Sequence, residues 1–336
     1  MTGDSLSGRQ PVHLAADARP QLFVIVDTEE EFDWSAPLRR DAVDVSAIAE
    51  VWRLQNVLSP YGLAPTYVID FPVATDRAAS ATLQELALRG ECSIGAHLHP
   101  WVNPPFTESL GSTNSYPCNL GADVEREKIR LLKEAIVEHL DVEPKVYKAG
   151  RYGFGTSSAD TIEALDFDVD ASVNPRMDFS SDGGPSFERF DAAPFMFGKT
   201  RRLLELPCTT GFTGIARRFG VPLHRVASSA WLRTVRAVGV LSRSGLLNRV
   251  MLSPEGSSLD EMRSLTEALY GDGVRTFALT FHSPSLKPGC TPYVRTPRDR
   301  EALLAAIDAY CEFFLGARGG IASTPMDFYR TVCNGR

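Results

Sequence analysis

No two of the six cysteines, Cys92, Cys118, Cys208, Cys290, Cys311 and Cys333, stand at CxxC spacing. That excludes a zinc knuckle and a thioredoxin-like redox motif, and leaves reduced, mostly buried thiols as the expectation. No stretch approaches the roughly 18 apolar residues that cross a bilayer, so no membrane span is expected. The first twenty residues, MTGDSLSGRQPVHLAADARP, lack the apolar core of a secretory signal. They read as a polar tail, and the expected address is the cytoplasm. No run of Lys or Arg stands out, and 35 basic against 42 acidic residues leave a net charge of −7. That balance argues against a nucleic-acid partner and for a small or neutral one. A GxGxxG after the first strand is also missing, which counts against a dinucleotide-binding fold. No internal repeat or low-complexity segment is present.

What is there is an alternation of short apolar runs and helical patterns. QLFVIVD (21–27), PTYVIDF (65–71), residues 93–97, KVYKAG (145–150), FDVDASV (167–173), RVMLS (249–253), RTFALTF (275–281) and GIAST (320–324) read as strands. QLFVIVD is apolar on both faces, as a covered parallel sheet requires. Helical spacing marks 45–61, 80–89, 123–140 and TSSADTIEALD between these strands. In the 123–140 helix, Glu125, Glu127 and Lys128 are expected on the solvent face, with Asp123 as the cap. Residues 100–122 and 174–200 are long irregular stretches of the kind that border functional sites. Residues 211–248, basic and apolar by turns, read as helices inserted into one domain spanning 21–336. The alternation implies a parallel sheet with right-handed crossovers. A closed or partly closed barrel fits, and a doubly wound open sheet competes.

The unusual polar residues fall at the C-terminal ends of these strands, where barrel enzymes carry their sites. Asp27 ends the first strand and is followed by Thr28, Glu29, Glu30 and Glu31. His97 and His99 end another, Arg151 follows KVYKAG, Asp170 lies in FDVDASV, and His282 follows RTFALTF. Residues two apart on a strand share a face. His97 with His99, and Asp27 with Glu29, therefore point the same way. Two imidazoles and one carboxylate make a three-ligand metal site with positions left for water and substrate, and zinc is the default ion. Asp27 is then free to act as a base. Taken singly, each motif has a plain alternative: core histidines bonded to carbonyls, a solvated acidic loop, an arginine in a structural ion pair. Their joint position at strand ends favours chemistry.

VDTEEEFDW, IGAHLHPW, YKAGRYGFG, VDASVNP and LTFHSPSL occur in an order that resembles the polysaccharide deacetylase family, the NodB-homology domain, over about residues 20–325. The resemblance implies a distorted (β/α) barrel, a divalent metal and hydrolysis of a C–N bond, most often the N-acetyl group of a sugar. By motif it implies Asp27 as catalytic base and Glu29, or Glu30, as metal ligand. The family's second motif has histidines four apart. Here His97 matches the first, Trp101 stands at the fourth residue on, and His99 is the second histidine. The third motif implies an arginine that orients the base, Arg151, with Lys148 as the alternative. The fourth implies Asp170 as a support residue of the site, and the last implies His282 as general acid. The backbone N–H of Tyr152 is a candidate oxyanion donor. The implied substrate is a carbohydrate, or a nucleotide- or lipid-linked precursor, or a small amide. Two rivals stand beside this reading. One is a binding module that kept the barrel and lost catalysis. The other is a glycosidase, for which Asp27 and Glu29 lie too close along the chain.

Overall fold

In β2 (Gln21–Thr28) every residue from Leu22 to Thr28 is buried. A strand covered on both sides must be central, and β2 is paired on both edges. One edge takes β11 (Thr276–His282), in register from Thr276 beside Gln21 to His282 beside Asp27. The other edge takes β3 (Thr66–Ile69) beside its C-terminal half and β12 (Ile321–Ala322) beside its start. The computed structural model describes residues 6, 8–200, 202–229, 231 and 237–334.

The sheet continues in parallel from β3 through β4 (Ser93–Leu98), β5 (Val146–Ala149) and β6 (Val169–Asp170) to β8 (Leu203–Glu205). An antiparallel edge of β7 (Phe195–Phe197) and β1 (Gln10–Pro11) completes it. Thus part of the stretch read as a polar tail, and part of the one read as irregular, are edge strands. Helices α1 (Val51–Leu58), α2 (Phe71–Thr75), α3 (Arg77–Leu88), α4 (Ala122–Leu140) and α5 (Thr156–Ala164) follow the strands on the outside. RVMLS does not join this sheet. As β10 (Asn248–Met251) it pairs antiparallel with β9 (Thr210–Thr213), and the inserted segment leaves from that hairpin through α6 (Gly220–Ala227) and α7 (Ala237–Arg243). The chain then runs through α8 (Leu259–Gly271), α9 (Pro297–Cys311) and α10 (Pro325–Asn334).

The sheet curls into a distorted, incompletely closed (β/α) barrel. The gap is spanned at the rim by irregular chain: the N–H of Cys208 reaches Val173 on one side, while the Thr209 hydroxyl accepts from the Ala278 N–H on the other. Strand alternation sorts the side chains into two cores. Leu22, Val24, Val26, Tyr67, Ile94, Ala96, Phe277 and Leu279 face the helices. Phe23, Ile25, Val68, Val146, Val169, Leu204 and Ala278 face inward, where Phe328 of α10 packs among them. The same inward parity, continued to the strand ends, selects Asp27, His97, Lys148 and His282.

Helix α4 departs from expectation. Glu125 and Lys128 are fully buried, not solvated. The Lys128 ammonium donates to the carbonyls of Pro100, Asn103 and Pro105 at 2.5–2.9 Å, tying the loop after β4 to the barrel. Gly121, not Asp123, is the N-cap. Glu125 accepts from the Ser158 hydroxyl, and burial pushes its carboxyl up to about 7. An acid with a folded pKa above its unfolded value near 4.5 stabilises most at low pH and loses that contribution as pH rises through 7. Glu125→Gln is therefore expected to flatten stability against pH over this window. At pH 8 it should gain on the order of 2 kcal/mol over the native chain. Urea denaturation at pH 5 and pH 8 checks this, and an equal effect at both values would refute it. All six cysteines are free thiols; Cys92, Cys208 and Cys311 are buried.

Candidate metal and acid–base site

The ends of β2, β4 and β11 bring Asp27, Glu29, His97, His99 and His282 to one side of the barrel interior. His97 Nε2 and His99 Nε2 lie 3.5 and 3.4 Å from the same oxygen, Glu29 Oε2. All three side chains are buried, and their ligand atoms lie within 4.8 Å of one another. The far side of each imidazole is engaged: His97 Nδ1 with the Lys148 carbonyl at 3.0 Å, His99 Nδ1 with Glu30 Oε2 at 2.8 Å. Those contacts leave the Nε2 atoms to converge, the arrangement in which metal-binding histidines are held. Glu29 Oε1 is buried with no hydrogen-bond partner. Such an atom costs free energy unless something meets it, so the three residues fit a divalent cation. Burial, working against the pull of Glu29, Asp70 and Asp27, holds His99 below its ordinary value. The ring stays neutral, as a ligand must.

Glu30 and Asp70 form a second acidic group on the outer side of His99. The Glu30 N–H donates to Asp70 Oδ2, and Asp70 Oδ1 caps α2 by accepting from Val73. Burial and mutual repulsion raise Asp70 far above its usual range, and burial pushes Glu30 up to about 8. Both shifts favour a proton held between the two carboxyls, with Glu30 Oε2 facing the imidazole. Gly150 makes room for that ring. A Cβ there would lie 2.5 Å from His99 Cδ2 and 2.3 Å from the Leu98 carbonyl oxygen.

Beside the Glu29 cluster, Lys148 Nζ spans the barrel to both Asp27 oxygens at 2.6 and 2.8 Å. Burial raises the Asp27 carboxyl, but Lys148, His97 and His282 outweigh it and hold Asp27 ionised below the usual range. His282 Nε2 sits 3.8 Å from Asp27 Oδ2, and its Nδ1 meets Glu255 Oε2 at 2.7 Å. Burial alone would lower the His282 pKa. Glu255, Glu29 and Asp27 push it instead up to about 10. One ionised carboxylate and one protonated imidazole thus face a common cavity at neutral pH. Asp27 and His282 are in-register neighbours on adjacent strands, so their meeting does not depend on barrel closure.

Two residues expected to act at this site stand apart from Asp27 and the three-ligand cluster. Arg151 lies past the end of β5 and does not reach Asp27; Lys148 takes that place. The chain turns through left-handed conformations at Arg151 and Tyr152 (φ 54° and 59°). That turn sends the guanidinium to Ser115 and Asp182 on the two long loops, over the Tyr116 ring. Asp170 has the wrong strand parity. Its neighbours Val169 and Ala171 face inward, while Asp170 accepts from Ser172 and lies beside Glu205 in register. Ser172 in turn accepts from the Ala149 N–H, so Asp170 braces the strand end behind the site. Glu255 is a residue the strand-end reading missed. It stands in the SPEG turn after the β10 run, and the acid following that run was the available signal.

The cavity over these groups measures about 610 Å³. Trp101 stacks on His99, and Trp34 sits edge-on to His282 at 4.9 Å. Phe32, Tyr152, Phe179 and Tyr293 line the walls, and the loops at 100–122 and 174–200 both contribute, through Tyr116 and Asp182. Arg151, the cation in this wall, is neutralised by Asp182. Glu255→Gln is expected to remove the nearest negative charge from His282. Its pKa then falls, and the basic limb of kcat/KM against pH moves to lower pH. A basic limb that stays in place would separate His282 from that limb.

No protein-family model matches the chain, and no curated protein sequence does. Solved structures do. One from Mycobacterium smegmatis, described as a polysaccharide deacetylase, aligns with a TM-score of 0.56 at 15% identity, over 97% of this chain and 94% of its own. Puue allantoinase aligns with a TM-score of 0.56 at 13% identity, over 96% and 93%. At these identities the likeness is one of fold. No helix among the described residues is long and apolar enough to cross a membrane.

Proposed function

From a chain with the distorted (β/α) barrel of polysaccharide deacetylases, we propose a metal-dependent hydrolase of non-peptide C–N bonds. Removal of an acetyl group from an N-acetylated sugar or glycan precursor in the cytoplasm is the leading reaction. The observation that carries the reading is one cavity holding a three-ligand cluster with an orphaned carboxylate oxygen, an ionised buried Asp27 and a protonated His282. Glu29, His97 and His99 would hold the ion, zinc by default. When bound, it supplies Lewis acidity toward the amide carbonyl and makes a water more acidic.

The rest falls to this chain. Asp27 accepts the proton of the attacking water, and Lys148 holds both of its oxygens so that the carboxylate stays ionised and fixed. Negative charge then develops on the carbonyl oxygen, where the Tyr152 N–H is the proposed donor. His282 gives its proton to the leaving nitrogen, because an amine leaves poorly unless protonated. Glu255 keeps the imidazole charged and aimed. Trp34 and Tyr293 offer aromatic surface to a sugar ring, while buried Trp101 backs His99. Arg151 is paired with Asp182 and His282 with Glu255, so the wall offers no unpaired cation to an anionic substrate and suits an uncharged one. A small non-sugar amide is the second reading, and a cavity of about 610 Å³ has room for it.

The test is metal analysis of protein purified without added metal, then a screen of N-acetylated sugars for acetate release and of small non-sugar amides for loss of the amide. About one equivalent of divalent metal with turnover of one class supports the proposal. Stoichiometric metal without turnover of any amide would favour a binding module, and absence of metal would overturn the assignment of Glu29, His97 and His99.

A further inference from the structure

Charge is segregated along this chain. From Leu206 to Pro254 the sequence carries seven arginines and no Asp or Glu. The rest of the chain has 28 basic against 42 acidic residues. The same segment holds Ile215, Phe219, Val226, Trp231, Val238, Val240 and Leu246, all exposed. Exposure is greatest at Ile215, 89%, and Trp231, 79%.

The exposed apolar groups are ordered. Along α6 and the turn before it, Gly220 and Ala227 face the protein. Phe219, Pro222 and Val226, at i, i+3 and i+7, make an outward stripe. Arg218 and Arg225 lie one step round the helix on the flank of that stripe. Arg225 reaches Glu188; Arg218 and Arg243 are exposed with no carboxylate contact among the described residues. An outward apolar stripe flanked by arginines is the pattern of a helix lying in the plane of a membrane surface.

We infer that residues 215–229 and 237–246 dock this protein on an anionic lipid bilayer, with Phe219 and Val226 entering the headgroup boundary and Arg218 and Arg243 meeting lipid phosphates. A nucleic acid would use the arginines but gain little from exposed Ile215, Val226, Val238, Val240 and Leu246. The segment packs on the loop that walls the cavity: Arg225 pairs with Glu188, and Arg249 donates to the Arg176 carbonyl. Phe179 and Asp182 of that loop line the cavity. Docking would therefore set the cavity mouth beside the bilayer.

The experiment is flotation of the full chain with vesicles of phosphatidylcholine alone or with phosphatidylglycerol, which needs no substrate or metal. Binding to the anionic vesicles only, weakening as salt rises, is expected. Arg218→Gln with Arg243→Gln should weaken it on the order of 30-fold. Phe219→Ser with Val226→Ser should weaken it on the order of tenfold or more, with melting temperature unchanged in both variants. Equal binding to neutral vesicles, no binding, or variants that bind like the native chain would overturn the proposal. So would dimerisation through Phe219 in lipid-free solution, or retention of duplex DNA that Phe219→Ser leaves intact. Failure here would leave the hydrolase reading untouched, since flotation does not depend on turnover.

Discussion

Asp27→Asn is expected to lower kcat on the order of 10²–10⁴-fold while the divalent ion stays bound. Asp27 faces Lys148 and His282 rather than the cluster formed by Glu29, His97 and His99. Removing its charge takes away the proton acceptor and spares the ligands. His97→Ala is expected to behave differently, losing metal and turnover together, because its Nε2 is one of three converging atoms. Metal content and kcat/KM, measured on the same preparations with whichever amide proves to be a substrate, separate the two cases. Near-native turnover in Asp27→Asn would sink the base assignment. Full metal content in His97→Ala would sink the cluster.

The second large effect concerns folding. Lys148 and Asp27 form an ion pair whose members are almost wholly buried. Breaking such a pair leaves one charge uncompensated in a low-dielectric interior, at a cost of about 3–5 kcal/mol. Lys148→Met is expected to destabilise by that amount. Adding Asp27→Asn should recover part of the loss, since the stranded carboxylate is then gone. Urea unfolding of the two single variants and the double variant measures the coupling. Additive losses would mean that the two side chains do not sense each other, contrary to the 2.6 Å contact.

The sequence made much of this site legible for a geometric reason. Asp27, His97, Lys148 and His282 end strands, and on a strand the period of two fixes which residues share a face. That rule carried Glu29 and His99 past the strand ends. It failed where the backbone stopped being extended. The resemblance's third motif implies Arg151 beside Asp27, with Lys148 as the alternative, and nothing in GRYG announces the two successive left-handed residues that turn Arg151 away. Asp170, a support residue by the fourth motif, faces away from the cavity and acts through Ser172, because only two residues of the expected 167–173 strand are paired as β6. Lys128 and Glu125 look like the solvent face of an amphipathic helix. They are buried because the loop after β4 folds back over Lys128 and because Ser158 of α5 meets Glu125. Those partners are distant in sequence, and helical spacing cannot report them. β7, β8 and β9 escaped notice because strands of three or four residues carry too little pattern.

The pairing of β2 carries a consequence for synthesis on the ribosome. This strand leaves the exit tunnel long before the partners that cover its edges. One edge is completed only by residues 276–282, and the start of the other by residues 321–322. Through most of translation the apolar run QLFVIVD has an open edge able to pair with other chains. The inward core behind it stays uncapped until Phe328 arrives. Contacts this remote in sequence form slowly, so the nascent chain depends on being shielded until β12 and α10 emerge. Truncation just before α10 should therefore yield aggregate, not a shortened barrel.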